Sequence, residues 1–118
     1  MPAVKKPARS PASRFTFIAV SYDGGNAIPA FERTQYFWAY YLAGSHEMRR
    51  KELLSVGRLR TSDLTARMAD SMFDVIISGN FGGKAMAELK KSGKRLYTFA
   101  GGTDAAFNAY MNKELTEV

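Results

Sequence analysis

Phe73-Asp-Val-Ile-Ile-Ser-Gly-Asn-Phe-Gly-Gly-Lys-Ala-Met-Ala-Glu-Leu89 is the stretch that decides the fold. Its first six residues form a short, dense apolar run of the kind a parallel sheet buries on both faces. Gly79, Gly82 and Gly83 break the run and open directly onto a predicted helix over residues 84–91. In that helix Ala85, Met86 and Leu89 turn inward, while Lys84, Glu88, Lys90 and Lys91 turn outward. Gly93 then ends the helix in the left-handed conformation that helix termini favour. A strand buried on both sides needs helices on both sides, so an α/β domain is already implied.

The flanking sequence extends the same pattern. Downstream, Lys94-Arg-Leu-Tyr-Thr-Phe-Ala100 reads as a strand and runs into Gly101-Gly102. Thr103 is the expected N-cap of a last helix, with Asp104 in its first turn and Ala106, Phe107, Tyr110 and Met111 along one side. Upstream, Thr61-Ser62-Asp63 supplies an expected N-cap. Leu64, Met68 and Met72 recur every four residues, which predicts a helix over 63–72. Phe15 to Tyr22 is aromatic and β-branched, hence a first strand, and it stops at Asp23-Gly24-Gly25-Asn26. Residues 27–34 read as irregular because Pro29 lacks the donor a central strand needs. Tyr36 to Leu42 is a second strand, and Glu47 to Leu54 a third, antiparallel to it across the Gly44-Ser45 turn. The predicted fold is a three-layer α/β sandwich around a mixed five-stranded sheet. Asp74, within the buried run, is expected to face an edge or cap a turn.

The chain has 118 residues, 46% of them hydrophobic and 24% charged, which fits one globular domain. It has no cysteine, which excludes disulfides, zinc fingers and thiolate-anchored clusters. A single histidine, His46, cannot build a multi-histidine metal site. It is a candidate only as one ligand to a cluster that arrives preassembled. The formal net charge is +6, and half of that excess lies in Lys5, Lys6 and Arg9, among Pro2, Pro7 and Pro11. Residues 1–13 therefore read as a disordered basic arm, and residues 14–118 as one domain of a cytoplasmic protein. No apolar run approaches the ~18 residues of a membrane span.

The two strand-to-helix junctions are the candidate site. Gly79-Asn80-Phe81-Gly82-Gly83 and Gly101-Gly102-Thr103-Asp104 would each leave backbone N–H groups and a helix dipole at the carboxyl edge of the sheet. Parallel strands would bring those edges together, where open α/β sheets bind ligands, and Lys84 is placed to add charge. A second candidate surface is basic: Arg49, Arg50 and Lys51, with Arg58 and Arg60, near Tyr36, Phe37, Trp38, Tyr40 and Tyr41. Cations beside aromatics are the ingredients of nucleic-acid or acidic-partner binding, although such charges more often form a solvated face. Asp23, Asp70, Asp74 and Asp104 are scattered, and no nucleophile elbow is present, so an enzyme is not expected.

The stretch from Leu64 to Leu115, with its Ser78-Gly-Asn-Phe-Gly-Gly83 turn and its Asn112-Lys-Glu-Leu115 close, resembles the dinitrogenase iron–molybdenum cofactor biosynthesis family. That family includes nitrogenase accessory factors and small molybdenum–sulfur cluster proteins. Phe17-Ile-Ala-Val and Ile28-Pro-Ala-Phe-Glu-Arg-Thr-Gln-Tyr-Phe37 extend the resemblance over about residues 15–115. It implies a ribonuclease-H-like fold and non-catalytic carriage of a preformed, anionic iron–molybdenum or molybdenum–sulfide cluster. It also implies a cofactor-assembly or client metalloenzyme as partner, with homodimer formation or a cluster-free regulatory role as the alternative. The family's loop histidine is Ala30 here, its following glycine is Glu32, and Arg33 matches its arginine. The expected cofactor contacts are Arg33, Gly79, Asn80, Gly82, Gly83, Lys84, Gly101, Gly102 and Thr103.

Overall fold

The computed structural model describes residues 15–44 and 47–118. The expected basic arm and His46 lie outside the described residues. The elements are β1 (Phe15–Tyr22), β2 (Tyr36–Ala43), β3 (Glu47–Ser55), α1 (Thr61–Ala69), β4 (Val75–Ser78), α2 (Gly83–Lys91), β5 (Arg95–Thr98) and α3 (Thr103–Met111). A single 3-10 turn, Phe31–Arg33, interrupts the segment between β1 and β2.

The sheet order is β3-β2-β1-β4-β5. β1 pairs antiparallel with β2, and β2 antiparallel with β3, while β1, β4 and β5 run parallel. Side chains alternate across this mixed sheet. Ala19, Phe37, Ala39, Ile76 and Leu96 meet Leu64, Met68, Ala85 and Leu89 of α1 and α2 on one face. Ile18, Val20, Tyr40, Leu42, Val75 and Ile77 meet Ala106 and Phe107 of α3 on the other. The Tyr40 ring stacks on Phe107 with centroids 4.0 Å apart. All four residues of β4 are buried, which is why its sequence is a continuous run rather than an alternation.

Several boundaries differ from the sequence expectation: α1 ends at Ala69, which leaves Met72 outside it and exposed, and β5 is confined to Arg95–Thr98. β4 begins at Val75 because Asp74 replaces a ladder partner with its side chain. Its carboxylate accepts the Phe17 N–H at 2.9 Å, and its own N–H donates to the Phe17 carbonyl at 2.8 Å. α1 starts at Thr61, with Arg60 as its N-cap and no side-chain capping bond. α3 is capped by Gly102 rather than Thr103, which is already its first helical residue.

The two sheet edges are finished differently. Among the described residues β3 is an open edge, and the dense charge from Glu47 to Glu52 disfavours pairing with another chain. β5 is covered by the C-terminal segment: Glu117 bridges Tyr97, and the Val118 N–H donates to the Leu96 carbonyl at 2.9 Å. The chain is turned toward β5 at Lys113, whose φ of 60° lies in the left-handed region. There the Glu114 N–H reaches back to the Ala109 carbonyl at 2.8 Å, closing a Schellman motif. A lysine at this position carries a Cβ penalty that glycine lacks. Lys113→Gly is expected to raise the unfolding free energy by about 0.5–1 kcal/mol, read from the urea midpoint at unchanged slope.

Candidate functional site

The parallel strands β1, β4 and β5 all end at one edge of the sheet, and α2 and α3 begin there after short glycine turns. β3, two antiparallel steps from β1, also ends there and leads through residues 56–60 into α1. The N-termini of α1 and α2 therefore lie side by side, around a hollow of about 240 Å³ lined by Thr61, Ser62, Thr65, Lys84, Ala85 and Glu88. The predicted edge is thus assembled.

What occupies the edge was not anticipated. The segment from Asn26 to Arg33 is threaded between the two glycine turns and hydrogen-bonded to both by main-chain groups. The Ile28 N–H donates to the Gly101 carbonyl at 2.7 Å. The Gly79 N–H donates to the Pro29 carbonyl at 2.8 Å, and the Phe31 N–H to the Asn80 carbonyl at 2.9 Å. Pro29 has no N–H of its own, but its carbonyl is what the turn uses. The approach is close enough that a Cβ at Gly79 would sit 2.9 Å from the Ile28 carbonyl oxygen. At the other turn, a Cβ on Gly102 would meet the Asn26 carbonyl oxygen at 3.3 Å. Phe81 turns inward, buried against Phe31 with ring centroids 5.5 Å apart, and so pins the same segment from below. The two turns share a neighbour, but that neighbour is the chain's own backbone.

The helix dipoles at this edge are also met from within. Gly82, the N-cap of α2, has no side chain with which to cap. Glu32 supplies the acceptor across a 50-residue separation, its Oε2 taking the Gly82 N–H at 2.6 Å. α1 carries Asp63 in its first turn and α3 carries Asp104. Asp104 accepts from Lys51 Nζ at 3.0 Å and from the Tyr40 hydroxyl at 3.3 Å. The Lys51 contact holds the Asp104 carboxyl below its ordinary range, and burial together with Asp104 pushes the Tyr40 hydroxyl up. A carboxylate at each helix N-terminus is electrostatically favourable, and it takes the place an external anion would otherwise fill.

The remaining expected contacts divide accordingly. Gly83 opens α2 with free space around its Cα, and Lys84 lines the hollow between α1 and α2. Asn80 enters through its carbonyl, and Thr103 as a helical residue rather than a cap. Arg33 is exposed and lines a separate hollow of about 360 Å³ with Glu32, Thr34, Gln35, Arg58 and Leu59. Neither Arg33 nor Arg58 has a carboxylate within 4.0 Å among the described residues. The pairing of Arg33 with Arg58 escapes the sequence because it depends on β3 ending at the same edge as β1.

The second candidate surface does not hold together as one basic patch. Arg49 pairs with Glu47 at 3.6 Å, Arg50 with Glu52, and Lys51 with Asp104. Arg50 also lies over Tyr41, and Lys51 over Trp38 at 4.6 Å. These three cations stand on the open edge strand, whereas Arg58 and Arg60 lie in the loop at the carboxyl edge. The aromatics of β2 divide between the two faces: Phe37 and Tyr40 are buried, and Tyr36, Trp38 and Tyr41 half-buried.

The donor set decides what kind of ligand fits. The sequence has no cysteine, and among the described residues no three His, Cys, Asp or Glu side chains gather where they could hold a metal ion. Guanidinium groups do not coordinate cations. They suit the outer atoms of a preassembled anion rather than a bare metal ion, and they line a hollow that Glu32 also lines.

Gly79→Ala is expected to lower the unfolding free energy by about 1–3 kcal/mol, since backbone must yield. The same change at Gly83, where an added Cβ meets nothing, should be neutral or slightly stabilising. Glu32→Gln should cost about 0.5–1 kcal/mol through the weakened cap. Urea unfolding of the three variants checks all of these.

No protein-family model and no curated protein matches the sequence. Solved structures do match. A candidate dinitrogenase from Methanocaldococcus jannaschii superimposes with a TM-score of 0.69 at 16% identity, covering 86% of this chain and 93% of that one. A candidate NifB protein from Thermotoga gives 0.67 at 21% identity, covering 86% and 92%. The apo orange protein from Desulfovibrio gigas gives 0.69 at 18% identity, covering 91% and 96%. Over nearly the whole of its described length, the chain has the α/β fold of these proteins.

Proposed function

We propose that this chain binds a preassembled anionic metal–sulfur cluster, iron–molybdenum or molybdenum–sulfide in type, or its precursor. It holds that cargo without transforming it and passes it to an assembly or client metalloenzyme. The observation that carries this reading is the hollow beside Arg33 and Arg58, two guanidiniums without a carboxylate partner on the carboxyl edge of the sheet. Sulfide-rich clusters are anions with acceptor atoms on the outside, and a pair of guanidiniums recognises them without entering the metal's coordination. The strand order, which we read as ribonuclease-H-like, and the candidate dinitrogenase and NifB neighbours support the same assignment. In this reading Arg33 is the principal contact of those expected, Lys84 lends charge, and the glycine turns shape the edge.

A second reading is favoured by the Glu32–Gly82 contact. With Ala30 and Glu32 in the loop and a carboxylate at each helix N-terminus, the chain is a cluster-free structural or regulatory member of the fold that pairs with itself.

Anaerobic titration with tetrathiomolybdate, followed by absorbance, separates the two. Cluster carriage predicts saturable uptake that weakens about tenfold or more in Arg33→Gln and in Arg58→Gln, as expected for loss of a charge-assisted bond, and is unchanged in Arg49→Gln. Absence of uptake, or equal uptake by an Arg33→Gln/Arg58→Gln double variant, would contradict it. A dimer that takes up nothing would support the second reading.

A further inference from the structure

At the opposite end of β5 the C-terminal segment borders a third hollow. α3 ends at Met111, the left-handed Lys113 turns the chain, and residues 117–118 return to pair with β5. The space left beneath this hoop is about 290 Å³ and is lined by Arg95, Tyr97, Tyr110, Met111, Lys113 and Leu115.

Its lining is amphiphilic in an ordered way. Tyr97 and Tyr110 form an edge-to-face pair, with centroids 5.3 Å apart and planes at 74°. Met111 and Leu115 supply aliphatic wall, and both phenols belong to half-buried residues. Arg95 and Lys113 supply positive charge, and neither has a carboxylate within 4.0 Å among the described residues. Asp74 is the acid whose charge reaches Tyr110, and its carboxylate is already engaged by the Phe17 N–H. Arg95 and Tyr110 line the same hollow; burial pushes the Tyr110 hydroxyl up, and the charge of Arg95 and its hydrogen bond to the phenol work against that rise.

Lys113 supplies the independent observation. Glycine is the residue that a left-handed helix terminus selects, because any Cβ is strained there. A lysine at this point keeps the strain, and Lys113 is one of the residues that line the hollow. The volume is at the small end of ligand cavities, about 300 Å³, enough for a single ring bearing one acidic group.

We propose that this hollow is a binding site for a small organic monoanion with a flat apolar body, an aryl carboxylate, distinct from the sheet-edge site. The ring packs against Tyr97, Tyr110, Met111 and Leu115, and the carboxylate lies between Arg95 and Lys113.

The test is an NMR titration of the full chain with benzoate, using benzamide as the neutral isostere. Benzoate should shift the Met111 and Leu115 methyl signals and bind about tenfold or more tightly than benzamide. Arg95→Gln should weaken benzoate binding about tenfold, while Arg33→Gln should leave it unchanged. Lys113→Gly is the discriminating variant: it should unfold at higher urea yet lose about fivefold or more in benzoate affinity. A purely structural lysine would give the first effect without the second. No methyl shift at about 10 mM benzoate, equal binding of benzamide, or full affinity in Lys113→Gly would overturn the proposal.

Discussion

Three main-chain hydrogen bonds hold the carboxyl edge of this sheet together. They run from Ile28 to Gly101, from Gly79 to Pro29 and from Phe31 to Asn80. Each satisfies a polar group that would otherwise be stranded at the end of a buried strand. They require two backbones to touch, which is possible at Gly79 because it has no Cβ to place 2.9 Å from the Ile28 oxygen. The aromatic contact of Phe31 with Phe81 lies beneath these bonds and converts a polar seam into part of the core.

Once this segment is in place, the chemistry of the edge changes character. Glycine turns at helix N-termini are anion sites when their amides face solvent. Here the Gly79 amide is used by Pro29, the Gly82 amide by Glu32, and the dipoles of α1 and α3 are met by Asp63 and Asp104. Those backbone dipoles are therefore already matched from within, and at this edge Arg33 and Arg58 are among the described cations with no carboxylate within 4.0 Å.

Much of the architecture is legible in the residues. The continuous run at Val75–Ser78 announces a strand buried on both faces, and the paired glycine junctions announce helices returning over a parallel edge. The third strand is legible too, although Glu47–Ser55 is rich in helix formers, because the tight turn before it favours a hairpin. Helix caps were less legible. Thr61 and Thr103 are good capping residues by type, but the caps are Arg60 and Gly102, because the connecting turns end one residue earlier. The site was the least legible. Glu32 and Gly82 are 50 residues apart, and their contact follows from where the loop after β1 is laid down, which no local pattern records. A glycine N-cap does leave an amide in need of an outside acceptor, and that is the signal by which Glu32 could have been sought.

The proposed anionic cargo has one defined place on the molecule, and the molybdenum edge gives the most direct view of it. Anomalous diffraction from crystals soaked without air in tetrathiomolybdate should place the metal beside the Arg33 and Arg58 side chains, with the Asn26–Arg33 segment still bonded to both glycine turns. Molybdenum between Gly79 and Gly101, with that segment displaced, or no ordered molybdenum at all, would contradict it.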